Sequence, residues 1–240
     1  MFLMSLVAVS SLVSCNSSSS DYWNASCFVT VQGTSTNYNF VSDDGVQFIV
    51  ADNRVPSYAP SYGDRAVIYF RILEDPNNTS TTRYSITLYD VTLVETGFTS
   101  ADPTVDSPGD DPVQIYSYAG TPYMGTTKKY LNAAVYFAVS EASKLSQHTF
   151  TLTYVDRDNW PEDKPNTDGY LYLELRHDAG DDAIVDGKTY NTYAVWYSFP
   201  LAELDMAGLL DGVNGIVLGM KGSNDGKMIY YNKLEWPKEN

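Results

Sequence analysis

The chain has 240 residues, of which 30 are acidic and 15 basic, so its formal net charge at pH 7 is -15. This charge repels nucleic-acid phosphates and anionic lipids, so we expect no nucleic-acid partner. The chain has only two cysteines, Cys15 and Cys27, which is too few for a disulfide framework. Cys27 follows a strand-like pattern beside Phe28 and is expected to be a buried, unreactive thiol.

A short apolar segment, Phe2 to Val13, opens the sequence and leads into Leu12-Val13-Ser14-Cys15 and then Asn16 with four serines. The segment is about half as long as a helix that spans a ~30 Å hydrocarbon core and has the length of a signal-peptide core. No Lys or Arg precedes it, which we attribute to a start site assigned too far downstream. The tetrapeptide is typical of a bacterial lipobox. We therefore predict a signal peptide over residues 1–14 and lipidation of Cys15.

The predicted lipid anchor determines where the protein works. A processed lipoprotein cysteine carries a diacylglycerol and usually an N-acyl chain such as palmitate, and two or more chains anchor stably at ~0.8 kcal/mol per buried CH₂. Residues 15–25 would then form the anchor and a polar tether. The membrane is the partner, and the bacterial cell envelope is the expected location. The alternative is a secretory signal cut near Ser14, which leaves Cys15 a plain thiol.

The mature sequence predicts an all-β fold. Its 20 tyrosines and frequent threonines favour strands. The only helical patterns, Ser140 to Leu145 and Leu201 to Leu210, are short enough to be turns of helix on connections.

The first group of strands is expected within residues 26–98. The candidates are Cys27 to Val31, Val46 to Val50, Arg65 to Leu73 and Tyr84 to Val94. Apolar residues alternate on one face of the third, namely Ala66, Ile68, Phe70 and Ile72. In the fourth, Ile86 and Leu88 share one parity and Val91 and Leu93 the other, which predicts a β-bulge near Tyr89-Asp90. Long, bent strands in a domain of this size suggest a small barrel.

We predict that residues 99–112 are a solvated linker, because they have three prolines and no apolar pattern. They also contain four aspartates, which are Asp102, Asp106, Asp110 and Asp111. Calcium binding there is the alternative, but the spacing differs from that of an EF-hand loop.

The second group of strands, over residues 113–240, predicts an antiparallel β-sandwich. Inward-facing residues alternate in several runs: Leu131 to Val139, Phe150 to Tyr154, Leu171 to Leu175 and Tyr193 to Phe199. The run Gly215 to Met220 follows, and Asn224-Asp225-Gly226 signals a closing hairpin.

Several of these segments resemble the NigD-like lipoproteins of Gram-negative anaerobes of gut and mouth. The resemblance is carried by Tyr130-Leu131-Asn132, His148-x-Phe150-x-Leu152, Leu171-x-Leu173-x-Leu175-Arg176-His177-Asp178-Ala179-Gly180-Asp181 and Trp196-Tyr197-Ser198-Phe199. Asp52-Asn53-Arg54-Val55-Pro56 before Gly63-Asp64-Arg65 is similar to the first domain of that family. The resemblance covers nearly the whole mature chain. It implies a lipid anchor, with the outer membrane of a Gram-negative bacterium as the expected location. It also implies an OB-type barrel and a carboxy-terminal β-sandwich. It names no catalytic residue, and the family name comes from a proposed bacteriocin-immunity role.

The densest polar cluster surrounds His177, with Asp178, Asp181, Asp182 and Asp186 close behind it. One histidine with several carboxylates can form a metal or general-acid site, or a substrate contact. Glycines nearby indicate a loop after a strand, and we favour a structural role in which His177 and Asp181 hold the turn together. Asp178, Asp181 and Asp182 remain the candidate metal ligands. His148 has the parity of Phe150 and is expected at the rim of the core.

Exposed aromatic side chains are the candidate ligand-binding residues. Tyr170 and Tyr172 lie on the face opposite Leu171 and Leu173, and Trp160 lies in a polar loop. Such rings are suited to binding sugars or peptides, although Tyr also packs well on a solvated sheet.

No sequence motif of a known catalytic class is present, and no cofactor is implied. We expect a non-enzymatic, lipid-anchored envelope protein that binds or shields a surface partner. That partner is a protein, as in bacteriocin immunity, or a glycan, as for an accessory of a glycan-uptake system. A hydrolase with two carboxylates that meet in space is the least favoured alternative.

Overall fold

The computed structural model describes residues 24–34, 36–74, 82–103, 109–116, 121–156, 159, 168–185, 187–222 and 229–237. The chain divides into two compact units. Of the described residues, the first unit contains those up to Glu95 together with Gly125–Thr127, and the second contains those from Thr96 to Met124 and from Lys128 onward. Strands dominate both units, which confirms the predicted all-β class. Cys15 with its signal segment, and Trp160, lie outside the described residues.

The first unit is a closed five-stranded barrel. Its strands are β1 (Asn24–Thr34), β2 (Asn37–Ser42), β3 (Gln47–Asn53), β4 (Arg65–Ile72) and β5 (Arg83–Leu93). Around the barrel they follow the order β1-β2-β3-β5-β4, and β4 pairs back to β1. The pairing of β3 with β5 is parallel and the other pairings are antiparallel. This is the predicted OB-like barrel.

The barrel interior is filled by the alternating faces that the sequence predicts. Ala66 and Ile68 are fully buried and Phe70 is nearly so, while Phe48 packs its ring 4.6 Å from that of Phe70. Strand β2 is absent from the prediction because its sequence, Asn-Tyr-Asn-Phe-Val-Ser, offers little apolar signal. Its Phe40 nevertheless fills the core and has no exposed surface.

The predicted bulge lies in β5. Phe70 pairs with Leu88 and the preceding Tyr69 pairs with Asp90, so Tyr89 is the extra residue. The inserted residue changes which side chains point inward. Ile86 and Leu88 before it are buried, whereas Leu93 at the strand end is 61% exposed, so its predicted inward position is wrong.

The second unit contains two sheets, as predicted for a β-sandwich. In one sheet the order is β6 (Glu95–Thr96), β13 (Asn191–Pro200), β10 (Tyr130–Val139) and β8 (Gln114–Ile115), with β9 (Tyr123–Met124) also on β10. In the other, which we call sheet C, the order is β15 (Ile229–Glu235), β14 (Gly215–Lys221), β12 (Leu171–Asp178), β11 (Thr149–Tyr154) and β7 (Phe98–Ser100). Sheet C is mixed rather than purely antiparallel, because β12 runs parallel to β14 and β11 parallel to β7.

The core of this unit consists of the predicted alternating residues, including Leu131, Val135, Leu152, Leu173 and Phe199. The only helices among the described residues are short. They are α1 (Ala202–Met206) and the 3-10 turns Ala142–Gln147 and Gly180–Asp182. Helix α1 lies within the predicted turn Leu201 to Leu210, and the 3-10 turn Ala142–Gln147 overlaps the predicted turn Ser140 to Leu145. Within the described part of the chain, no helix has the length and apolar character needed to cross a membrane.

The structure differs from the predicted linker over residues 99–112. Thr99 and Ser100 belong to β7, which pairs with the side of β11 away from β12. The Ala101 N–H donates to Glu203 Oε1 at 2.9 Å, and the Asp111 N–H donates to the His177 carbonyl at 3.0 Å. These backbone groups therefore find partners within the sandwich, which an alternation-based prediction cannot detect. Residues 104–108 lie outside the described residues.

Candidate functional site

The two histidines of the chain lie in contact inside the sandwich. His148 precedes β11, and His177 lies on β12 opposite Phe150. His148 Nδ1 is 2.8 Å from His177 Nε2, and both side chains are almost completely buried. The His177 ring stacks on Phe150 with centroids 4.6 Å apart. His177 Nδ1 lies 3.0 Å from the Pro112 carbonyl oxygen, to which it donates.

Asp182 completes this cluster from the 3-10 turn Gly180–Asp182. Its side chain has no exposed surface, and its Oδ2 lies 3.3 Å from His148 Nε2. It accepts hydrogen bonds from the Ser140 N–H, at 2.8 Å, and from the Ser140 hydroxyl. The amino groups of Lys144 and Lys188 each lie 3.9 Å from Oδ1. We call Ser140, His148, His177 and Asp182 the histidine cluster.

The hydrogen-bond pattern determines where the protons of this cluster lie. Three contacts each need a proton: His177 with Pro112, the two rings with each other, and His148 with Asp182. Two neutral imidazoles supply only two N–H groups. His177 is neutral, donates from Nδ1 to Pro112 and accepts at Nε2 from the N–H on His148 Nδ1, and the third proton is shared between His148 Nε2 and Asp182 Oδ2.

The pKa shifts agree with this assignment. Burial lowers the pKa of His177 from 6.5 to about 4, although its bond to Pro112 acts in the opposite direction. Burial alone would raise the pKa of Asp182. The hydrogen bonds from Ser140 and His148 outweigh burial, and they lower the pKa from 3.8 to about 2.

The other predicted metal ligands point elsewhere. Asp178 Oδ1 accepts a hydrogen bond from the Gly180 N–H at 2.8 Å. The Asp181 side chain is 73% exposed, and its Oδ1 lies 3.3 Å from Lys144 Nζ. Among the described residues no three His, Cys, Asp or Glu side chains are grouped so that they could hold a metal ion. Asp186 lies outside the described residues.

The prediction that Tyr172 belongs to an exposed binding surface is wrong. Tyr172 has no exposed surface and packs with Val155 and Val217 on the outer face of sheet C. Its ring lies over Gly219, where an added Cβ would be 2.4 Å from the Tyr172 hydroxyl oxygen. The absence of a side chain at Gly219 makes room for the ring, and this pairing is not apparent from period-two patterns.

Tyr170 lies at the edge of the same face and is half-buried. Its hydroxyl donates to Glu235 Oε1 at 3.2 Å, and Lys233 Nζ lies 4.0 Å from its ring centroid. The ring therefore already has a cation on one face, which leaves less of it for a ligand.

Sequence reasoning missed a buried ion pair in the barrel. The Arg65 guanidinium donates to both carboxylate oxygens of Asp43 at 2.8 and 2.7 Å, and both side chains are at most 3% exposed. Arg65 also donates to Thr30 Oγ1 at 2.8 Å. Burial, together with the nearby Asp43 and Asp44, raises the pKa of Cys27, which stays a thiol. The only sequence signal for the pair was the arginine at the start of an apolar strand.

Comparison with protein families assigns both units. Residues 28–94 match the NigD-like N-terminal OB domain, and residues 96–232 match the NigD-like C-terminal beta sandwich domain. The chain belongs to the NigD-like family. This confirms the resemblance found in the sequence. A search of curated proteins gives no match.

Several solved structures share the NigD-like fold. A protein of unknown function, DUF1344, from Bacteroides vulgatus ATCC 8482 has 21% identity and a TM-score of 0.62, covering 90% of this chain and 92% of its own. A protein from Bacteroides fragilis NCTC 9343 described as a lipoprotein has 15% identity and a TM-score of 0.59, covering 91% and 100%. A NigD-like immunity protein from Bacteroides caccae ATCC 43185 has 22% identity and a TM-score of 0.53, covering 86% and 90%. At these identities the likeness establishes the fold.

Proposed function

We propose that this NigD-like protein is a lipid-anchored protein of the bacterial envelope that acts by binding a protein partner, as an immunity protein does, and not by catalysis. One observation carries the proposal. Both histidines of the chain are buried and have their ring nitrogens engaged in hydrogen bonds inside the sandwich. The side chains best suited to acid–base chemistry at neutral pH are therefore used to hold the fold together.

Four further observations support the details of this function. The lipobox at Cys15 favours membrane anchoring, and one solved relative is described as a lipoprotein. Another relative is described as an immunity protein, which favours a proteinaceous toxin as the partner. The net charge of -15 favours a partner with a basic surface, because long-range attraction would speed its encounter with the protein.

A killing assay tests this function. The gene is expressed in a sensitive strain that is then exposed to a toxin encoded beside it. We expect protection by the parent and loss of protection by Cys15→Ala, which keeps the folded units but removes the anchor. Binding between purified partners should weaken as salt is added, because the attraction is screened. Equal killing with and without the parent gene would contradict the immunity-like function.

A carbohydrate-binding accessory role is the second candidate. The observation that favours it is a polar pocket on the outer face of sheet C, lined by side chains that include Thr153, Glu174 and Arg176. Retention of the protein by polysaccharide in native gels, together with full sensitivity in the killing assay, would favour this role over immunity.

A further inference from the structure

The polar pocket on sheet C is built by two neighbouring strands and the chain that follows β11. Thr153 on β11 pairs with Glu174 on β12, and Thr151 pairs with Arg176, so these residues share one face. Asp156 and Asn159 lie beyond the end of β11. The lining includes Thr153, Asp156, Asn159, Glu174 and Arg176, and we call it the Thr153 pocket.

Two buried polar atoms of the Thr153 pocket, Thr153 Oγ1 and Arg176 Nε, have no hydrogen-bond partner within the described part of the chain. Thr153 is only 4% exposed. Because a buried polar group that makes no hydrogen bond is costly, two of them at one pocket point to a partner that is bound from outside. Valine has nearly the same shape as threonine and would avoid this cost.

The charges around the pocket indicate what kind of ligand fits. Arg176 Nη1 lies 2.6 Å from Asp110 Oδ1, and its Nη2 contacts Glu174 Oε2. Asp110 also pairs with Lys221 at 2.6 Å. Carboxylates therefore already neutralise the guanidinium, and Asp156 adds a further negative charge nearby. An anionic ligand would be repelled, whereas a neutral group that both donates and accepts hydrogen bonds is accommodated.

We propose that the Thr153 pocket binds a sugar unit through adjacent hydroxyl groups. One hydroxyl shares a hydrogen bond with Thr153, while its neighbour donates to the carboxylate of Glu174 or Asp156. Thr153 presents its hydroxyl by rotating between staggered positions about the Cα–Cβ bond. The proposal rests on binding as the mode of action and is independent of a toxin partner, so it can fail while the immunity-like function stands.

Amide NMR of the purified protein tests the pocket, with methyl glycosides of glucose, galactose, mannose and N-acetylglucosamine as probes at millimolar concentration. We expect at least one glycoside to give saturable shifts centred on residues 153–156 and 174–176. Thr153→Val should weaken its binding at least tenfold without loss of thermal stability, because the variant removes a hydroxyl that has no partner. Asn159→Ala, an exposed position, should weaken binding several-fold.

Thr149→Val is the matched control, since it makes the same chemical change on the same strand outside the pocket, and it should leave binding unchanged. Sodium acetate at equal concentration distinguishes an anion site from a sugar site. The proposal is overturned if no glycoside gives saturable shifts at these residues. It is also overturned if only acetate does so, or if Thr153→Val binds a glycoside as well as the parent.

Discussion

His148 Nδ1 lies 2.8 Å from His177 Nε2, and this contact joins segments that enter the sandwich from different connections. Through His177 it holds the Pro112 carbonyl, and through His148 it holds the buried carboxylate of Asp182. Asp182 in turn accepts from Ser140 at the end of β10. The histidine cluster therefore connects four segments of the chain by hydrogen bonds. They are the segments that contain Pro112, Ser140, His148, and His177 with Asp182.

Removing His177 should destabilise the protein. We expect His177→Ala to lower the free energy of unfolding by about 1–3 kcal/mol, because it leaves His148 and the Pro112 carbonyl without their partner. The control is Asp181→Ala, which affects an exposed ion pair and should change stability by less than about 1 kcal/mol. Urea denaturation measures both. Equal effects of the two substitutions would contradict the structural role of His177.

The same substitutions address metal binding. A metal bound only by the native state raises stability by RT ln(1 + [L]/Kd), which is ~2.7 kcal/mol at a hundredfold excess over Kd. We expect melting temperatures of the parent to be the same in EDTA, calcium and zinc. A rise with either metal that disappears in Asp181→Ala or His177→Ala would restore the metal site that the sequence suggested.

Stability should fall with decreasing pH in two steps. The pKa of His177 is about 4 when folded and 6.5 as its ordinary value, so below pH 6.5 the unfolded chain binds a proton that the folded protein does not. Stability is therefore lost as the pH falls from 6.5 to 4. The loss is about 3 kcal/mol, because each unit of difference between the folded and unfolded pKa corresponds to about 1.36 kcal/mol. Asp182, with a folded pKa of about 2 against 3.8, adds a further loss as the pH falls from 3.8 to 2.

Urea denaturation at pH 7.5, 5.5 and 4.5 measures the first step. His177→Gln, which does not titrate, should be less stable than the parent at pH 7.5 and should show a flatter pH dependence between 6.5 and 4. If the variant and the parent lose stability in parallel over that range, His177 is not the titrating group.

The buried ion pair of the barrel should respond differently to single and double substitution. Asp43→Asn leaves the Arg65 charge without its carboxylate, and we expect a loss of about 3–5 kcal/mol. Replacing both residues, in Asp43→Leu with Arg65→Met, should cost less than Asp43→Asn, because no buried charge remains without a partner. A double variant that is less stable than Asp43→Asn would show that the pair contributes more than its desolvation costs.

Packing of Tyr172 on Gly219 gives a further test. An added Cβ at Gly219 would lie 2.4 Å from the Tyr172 hydroxyl oxygen, so Gly219→Ala should cost about 1–3 kcal/mol through overpacking. Tyr172→Phe removes that oxygen and should recover part of the loss in the double variant. Additive losses in the thermal unfolding of the single and double variants would show that the two residues do not press on each other.

Anchoring is tested by cell fractionation. Lipidation requires the Cys15 thiol, so Cys15→Ala should move the protein from the detergent-soluble membrane fraction to a soluble or unprocessed form. Cys27→Ala is the matched control and should stay with the membrane. A processed Cys15→Ala protein that remains in the membrane fraction would contradict the lipobox.

Alternating apolar residues made most of the fold predictable. In β4, β10 and β12 the predicted alternating residues line the two cores, and the bulge at Tyr89 follows from a change of parity within β5. Strand β2 was not predictable because its pairing partners, not its own polar sequence, define it. The contact of β7 with β11 was likewise hidden, because Phe98 pairs with Thr151, which lies 53 positions later in the sequence.

The candidate site was harder to predict because the sequence does not show whether the outer face of a sheet is covered by other residues. Tyr172 alternates with buried leucines and so reads as exposed, but its own face of sheet C is also covered. His148 was predicted at the rim of the core and His177 in the turn after its strand, and their contact depends on the β11–β12 register. Of the three candidate aspartates, only Asp182 turns inward.

The two outer strands of sheet C affect how copies of this protein behave when crowded together. On one side the sheet ends in β7, which offers only the 3 residues Phe98–Ser100 for pairing. On the other it ends in β15, whose Lys233 and Glu235 place opposite charges beside Tyr170. Short and charged edge strands resist the addition of a strand from another molecule. Both edges of sheet C therefore disfavour pairing of this sheet with the sheet of a neighbouring copy.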